Sequence, residues 1–474
     1  APITINGSSS VTFSSTTNAQ PIINPSGTVN IRSCTLSGAN TYAGNTTTDA
    51  FGGTGLTAGG VNTFSPNSNH TLVNAVSGNL VLNNFSNIIG SLAGGGSTGG
   101  NVLLGSATLT LGNSTNTTYA GVVSGTGGLI KQGAGTFTLT GTNLYSGGTQ
   151  ISAGTLSISN LNNLGTAGLS FTGNGTLKMT ATLDFNRSLS ISNGMIATFD
   201  TAGVNSTLST AITATTGGIA KMGTGTLTLN GIGSDYSAST QVGAGTLKAG
   251  AANTLSANAA IDISSGAILD LNNFSHTIAN VSGAGDVTLG SGALTFGGNN
   301  GSQSFSGAIS GTGGSLIKTG AGIFTLSGTL SYTSTTQINA GTIQLAAGNV
   351  LSTSSPVQID LSGTLDLDGF SQTIPSFIGS GTLNLGAATL TFGSDGSSNA
   401  FSGDISGIGG QLVKQGTGTF SISGMNTYSG GTNIEGGSVF ASGSSSLGTA
   451  AVTFLQTSTL LLRTEMTLNV QLAI

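Results

Sequence analysis

Tryptophan is absent from this 474-residue chain, cysteine occurs once and proline six times. A single cysteine cannot form an internal disulfide, so stability has to come from elsewhere. Six prolines without a Gly-X-Y period exclude a collagen-like rod. Charge is scarce as well: 9 Lys and Arg and 14 Asp and Glu make 5% of the chain, against ~25% in an average domain. Nucleic-acid binding draws most of its affinity from cations that neutralise phosphates, and nine scattered cations with no basic run exclude it. No run approaches the ~18 apolar residues of a membrane helix. Alternating runs are nearer five residues than the ~ten of a barrel strand, and there is no tryptophan for an aromatic girdle, so no transmembrane segment is expected.

What is present is glycine, 80 residues, with 36% hydrophobic residues and a net charge of −5. That apolar content is too high for a disordered chain. Ala1-Pro2-Ile3 at the start, without Met, is what processing leaves, and it points weakly to export. Low charge also suits an extracellular setting, where association is tolerated.

Repetition dominates the chain. Residues 125–158, 217–249, 311–345 and 407–440 are copies of one pattern, exemplified by GLIKQGAGTFTLTG followed by YSGGTQISAGTLSI. The shared lysines are Lys131, Lys221, Lys318 and Lys414, spaced 90, 97 and 96 residues; Tyr145, Tyr236, Tyr332 and Tyr428 are spaced 91, 96 and 96. A second segment, LVLNNFS, LDLNNFS and LDLDGFS, carries Phe85, Phe274 and Phe370, with a weaker copy around Phe185. The super-repeat is therefore about 95 residues long and occurs four times over 81–474, behind a divergent region 1–80 in which CTLSGANTYAG (34–44) is a degraded fifth copy.

Inside each super-repeat, runs such as Thr136-Phe137-Thr138-Leu139 alternate polar and apolar between glycine stops, which is the grammar of strands and turns. Repeats without linkers have to bury their apolar face on their neighbours. Glycine at most strand ends allows tight corners, since positive φ costs it little. The expected fold is all-β, a single parallel β-solenoid with no separate second domain. At very roughly 20–25 residues per coil and ~4.8 Å per coil, the chain would make about 20 coils.

The pattern GTGTLTLTG, YSGGT and GTL, carried by Gly133–Leu156, Gly223–Leu247, Gly320–Ile343 and more loosely Gly416–Val439, resembles the passenger-associated transport repeat of bacterial autotransporter passengers. The resemblance implies a right-handed parallel β-helix, secreted or at the surface of a Gram-negative-type bacterium. It implies no particular activity. Autotransporters normally end in a membrane barrel, for which AVTFLQTSTLLLRTEMTLNVQLAI leaves no room; the barrel is expected to have been cut away, or the chain to be another secreted user of the repeat.

Chemistry requires acids, bases or metal ligands that converge. His276 aligns with Gln372 and Asn87 and reads as a polar rung. His70 lies beside no acidic cluster and reads as a surface residue. Cys34 aligns with Phe137, Leu227, Phe324 and Phe420 and reads as a small core residue. Asp366 and Asp368 share a strand face and are the best enzymatic lead, yet their aligned partners are Asp270 and Asn272, then Val81 and Asn83. The recurrent lysines read as solvated corners and the tyrosines as packing at a coil corner, with a sugar-stacking platform as the alternative. Gly125-Thr126-Gly127-Gly128 precedes no helix that could hold a phosphate. Gly283-Ala284-Gly285-Asp286 is a lone fragment of a calcium repeat, and calcium needs six to eight oxygens.

The function expected from the sequence is a non-enzymatic extracellular structural subunit, without cofactor or metal. It would stack head-to-tail on copies of itself through its terminal coils, since 1–13 and 459–474 both read as further strands. The alternative is a cell-surface adhesin passenger, with a cell surface or polysaccharide as partner. A carbohydrate-active β-helix enzyme comes third.

Overall fold

A computed structural model describes residues 27–463 apart from 51–52, 214 and 456–457, together with segments 3–4, 11–13, 16–18 and 22–23 near the start and 471–473 near the end. It is all-β. Among the described residues there is no α-helix, and the one helical turn is the 3-10 element Leu161–Leu164, capped by Asn160. None is long and apolar enough to cross a membrane. The expected terminal strands are present as Ile3–Thr4, Val11–Phe13, Thr459–Leu462 and Leu472–Ala473. Residues 1–2, 5–10, 464–470 and 474 lie outside the described residues.

Two compact units follow one another, residues 1–231 and 232–474. In the first, the ladder Leu109, Leu129, Thr149, Leu169, Leu189 is parallel throughout and advances 20 residues per step. In the second, Leu316, Thr336, Val357 and Phe377 pair in parallel with steps of 20, 21 and 20. A parallel ladder whose partners lie one short lap away is a chain wound on itself, so each unit is a β-solenoid. A coil of about this length fits the sequence estimate.

Period-two alternation sorts the side chains. Thr136–Leu139 buries Phe137 and Leu139 and turns the two threonines outward, and Gly175–Met179 does the same with Leu177 and Met179. Stacking of equivalent positions then brings aromatics together inside. Phe171 and Phe199 meet edge-on at 5.6 Å, and Phe377 lies 4.8 Å from Phe392 and 4.9 Å from Phe420. Cys34 is buried in this core, paired in register with Leu56, as its alignment with core residues implied.

Corners take a different chemistry. In Leu82-Asn83-Asn84-Phe85 the Phe85 N–H donates to the Leu82 carbonyl at 2.9 Å, and both asparagines have positive φ, 49° and 65°. Two left-handed central residues define a type I′ turn, which asparagine and glycine tolerate best. Leu271–Phe274 and Leu367–Phe370 repeat it, with Asn272, Asn273, Asp368 and Gly369 as the left-handed residues. The recurrent segment is therefore a turn signature.

Candidate functional site

The recurrent lysines are not solvated. Lys131, Lys221, Lys318 and Lys414 are all buried. Each stands two residues after an inward apolar residue (Leu129, Ile219, Leu316, Leu412), so strand alternation carries it into the core. The motif Lys-x-Gly-x-Gly explains how a charge is tolerated there. Gly133 has φ +70°, and its equivalents Gly223, Gly320 and Gly416 have +76°, +66° and +65°, which turns the carbonyls before and after the bend inward. Lys131 Nζ donates to the carbonyls of Gln132 (2.7 Å) and Gly133 (2.8 Å), and to Ala153 (3.1 Å) in the following coil. Lys318 makes the same set with Thr319, Gly320 and Ala340. Lys414 does so with Gln415, Gly416 and Gly436. An ammonium has three donors and here meets three acceptors from two coils. Burial lowers the pKa of all four lysines, to about 8 for Lys131 and Lys221.

The tyrosines are buried too, which removes them as a platform for sugars. Their hydroxyls meet a threonine four residues on: Tyr145 with Thr149 at 2.5 Å, Tyr236 with Thr240 at 2.8 Å, Tyr332 with Thr336 at 2.6 Å and Tyr428 with Thr432 at 2.6 Å. Tyr42 and Thr46, at 2.7 Å, complete the series in the degraded copy. Burial pushes these phenols up, to about 12 for Tyr42 and Tyr236. The sequence reading missed the threonines and one asparagine. Asn143 Oδ1 accepts from Val123 N (2.7 Å) and its Nδ2 donates to Asn163 O (2.5 Å), tying three coils together; Asn426 repeats this with Ile405 and Ser446. The recurrent Asn-x-Tyr-x-x-x-Thr spacing, visible at Asn40, Asn143 and Asn426, was the available signal.

The aligned trio Asn87, His276 and Gln372 is buried. Gln372 Oε1 accepts from Leu351 N (3.1 Å) and its Nε2 donates to Ala347 O (2.9 Å); Asn87 makes the same kind of bridge to Phe64 N and Gly60 O. The ring nitrogens of His276 make no well-formed hydrogen bond, and burial holds its pKa below the ordinary value, opposed by the nearby Ala251 backbone. His70, expected at the surface, is buried against Phe64. Its Nδ1 lies 3.1 Å from Ser68 O, and burial pushes its pKa down to about 4. It too precedes an inward leucine, Leu72, by two residues.

Asp366 and Asp368 belong to the type I′ corner. Asp366 Oδ1 accepts from Asp368 N (3.1 Å) and Asn384 Nδ2 (3.0 Å), and Asp270 does the same for Asn272 N (2.8 Å). The Asp366 carboxylate fixes a turn, and among the described residues no cation pairs with it, whereas Asp270 is paired with Lys248 at 3.4 Å. Phe85 and Phe274 are half-buried and Phe370 is exposed, so these rings lie at corners outside the core stack. Among the described residues, no group of three His, Cys, Asp or Glu side chains is placed to hold a metal. A shallow cleft of about 260 Å³ offers Ser146, Gln150, Ser170, Ser188 and Ser190, hydroxyls and an amide without a titratable group.

The buried lysine, tyrosine–threonine pair and left-handed glycines form one stapling unit, repeated in register. The model of a family described as Passenger-associated-transport-repeat matches residues 34–50, 129–158, 219–249, 316–345 and 412–439. The stapling unit is the passenger-associated-transport repeat. Over 364 residues, 71% of the chain, the sequence is 32% identical to a protein named Adhesin BmaC autotransporter from Brucella suis biovar 1 (strain 1330). The aligned part is 10% of that protein, so the chain spans about a tenth of its length. No solved structure matches. The chain thus carries the passenger-associated-transport repeats of an autotransporter passenger β-helix, and its place is outside a Gram-negative-type cell, secreted or at the surface.

Proposed function

We propose that this chain is an adhesive part of a cell-surface passenger, binding partners through the outward rows of its coils and catalysing no reaction. The observation that carries the reading is the 32% identity, over 364 residues, to a protein named as an adhesin. The chemistry of the interior is consistent with it. The four recurrent lysines, the tyrosines and the Asp366 carboxylate are engaged in holding the coils and their corners, and the two histidines are buried, which leaves serine, threonine, asparagine and glutamine rows as the main outer surface. Beads coated with the full chain are expected to bind host cells or matrix proteins saturably, with soluble chain competing. Absence of saturable binding across such a panel would overturn the reading. Hydrolysis on a polysaccharide panel, lost on Asp366→Asn, would replace it with an enzyme.

A head-to-tail fibre is the second reading. Leu461 and Leu462 on Thr459–Leu462, and Leu472, are 44%, 41% and 56% exposed, apolar side chains on coils that a further coil would cover, whether of a longer chain or of a second copy. Electron microscopy of the chain at high concentration, showing dispersed particles alone, would dispose of this reading and leave the first intact.

A further inference from the structure

Three internal copies of one corner can be compared coil by coil. Up the corner run Asn84, Ser106 and Thr126 in the first, Asn273, Ser291 and Thr312 in the second, and Gly369, Ala387 and Ile408 in the third. The coils are in contact there: a Cβ built on Gly409 would lie 3.7 Å from Ala387 Cβ, one on Gly313 3.5 Å from Ser291 Cβ, and one on Gly386 2.8 Å from Gly369 N. In the polar copies the asparagine Oδ1 accepts from the serine N–H of the next coil, Ser106 at 2.8 Å and Ser291 at 3.0 Å. Glycine at 369 has no side chain for that bond. All three positions have turned apolar together, and Ile408 stands 90% exposed, with Phe370 of the same turn 38% exposed. Isolated exposed apolar residues are ordinary, whereas a joint change at three stacked positions makes a ridge. At ~4.8 Å per coil it is about 10 Å tall, the footprint of one or two apolar side chains.

Charge selects the partner. Asp366 and Asp368 stand at the foot of the ridge and Asp404 precedes Ile408 by four residues. Between residues 249 and 462 the chain has nine carboxylates, of which Asp270 is paired with Lys248 at 3.4 Å, and two cations, Lys318 and Lys414, both buried. Eight carboxylates are left without an ion pair, and the outward field of this stretch is predominantly negative. It repels anionic lipid and sulfated glycan, and attracts a cationic polypeptide.

We infer that Phe370, Ala387 and Ile408, with Asp366 and Asp368 beneath them, form a docking ridge for a basic peptide segment that carries an apolar side chain, on a partner protein. The inference rests on the adhesive reading and gives it a location. The test uses the full chain and two short lysine-rich peptides of equal charge, one with two leucines and one with two serines. The variant Gly369→Asn/Ala387→Ser/Ile408→Thr restores the polar corner of the other copies, and Ile408→Thr alone serves where the triple variant does not fold. The native chain is expected to bind the leucine peptide at least tenfold more tightly than the serine peptide, with both weakened by salt, and the variants to lose the preference. No preference in the native chain, or an undiminished one in the variants, overturns the ridge. Adhesion of a variant equal to that of the native chain overturns it as the adhesive contact and leaves the adhesin reading standing; no adhesion by the native chain overturns the adhesin reading itself.

Discussion

Tyr145 Oη lies 2.5 Å from Thr149 Oγ1, and Thr149 Oγ1 in turn donates to Leu164 O at 3.3 Å. A buried phenol is thereby satisfied by a hydroxyl of its own turn, which passes the bond to the next coil. This pairing recurs in all five matched repeats and accounts for the fixed interval of four residues.

Thr149→Val keeps the shape and removes the acceptor, leaving the Tyr145 hydroxyl buried without its partner. The cost expected is about 1–3 kcal/mol. Tyr145→Phe in the same background should recover part of it, because no polar group is then stranded. Hydrogen exchange at 145–151 is the readout, since solenoids open locally. Equal protection in Thr149→Val and the native chain would mean that the pair contributes nothing.

Lys318→Met removes three donors at once from the carbonyls of Thr319, Gly320 and Ala340. Each stranded acceptor costs ~1–3 kcal/mol, offset because a buried charge disappears too, for a net loss of about 2 kcal/mol. Proteolysis between residues 318 and 341 should accelerate accordingly. Gly154→Ala tests the same staple from the other side. Its Cβ would sit 2.2 Å from Gly133 O and 2.8 Å from Lys131 Nζ, at a φ of +65°, so this repeat should lose protection more than at an outward glycine.

Acid should loosen the fold through its two histidines. His70 titrates at about 4 in the folded chain and near 6.5 when unfolded, so the unfolded chain binds more protons between those values. The stability this group contributes is complete above pH 6.5 and is lost as pH falls through 4, at most about 3 kcal/mol. His276 shifts in the same direction. His276→Gln, the residue its aligned copy uses, should restore a two-sided bridge and flatten the acid limb of local unfolding around 251–278. An unchanged acid limb in that variant would remove His276 from the account.

Asn273 combines a φ of +70° with a side chain that accepts from Ser291 N. Asn273→Ala should cost about 1–2 kcal/mol, and Asn273→Gly less, because glycine keeps the turn and loses the bridge alone. Chemical denaturation of the two variants side by side orders them; since both lose the bridge, the reverse order would remove the positive φ of the turn from the account.

The super-repeat, the alternating strands and the glycine-marked corners were written in the sequence, because period two and turn chemistry are local properties. Even the inward direction of Lys131 and His70 was implied, each two residues from an inward leucine; charge alone suggested water instead. What the tertiary structure decided was whether such a polar group could stay inside. For Lys131 the answer lies 22 residues away, in the Ala153 carbonyl of the next coil, and for Asn143 it lies 20 residues away on both sides. For His276 the neighbouring coil brings up the Ala251 backbone but completes no well-formed hydrogen bond to either ring nitrogen. Alternation fixes which way a side chain points, but its satisfaction depends on the lap above and the lap below, and only winding the chain brings those together.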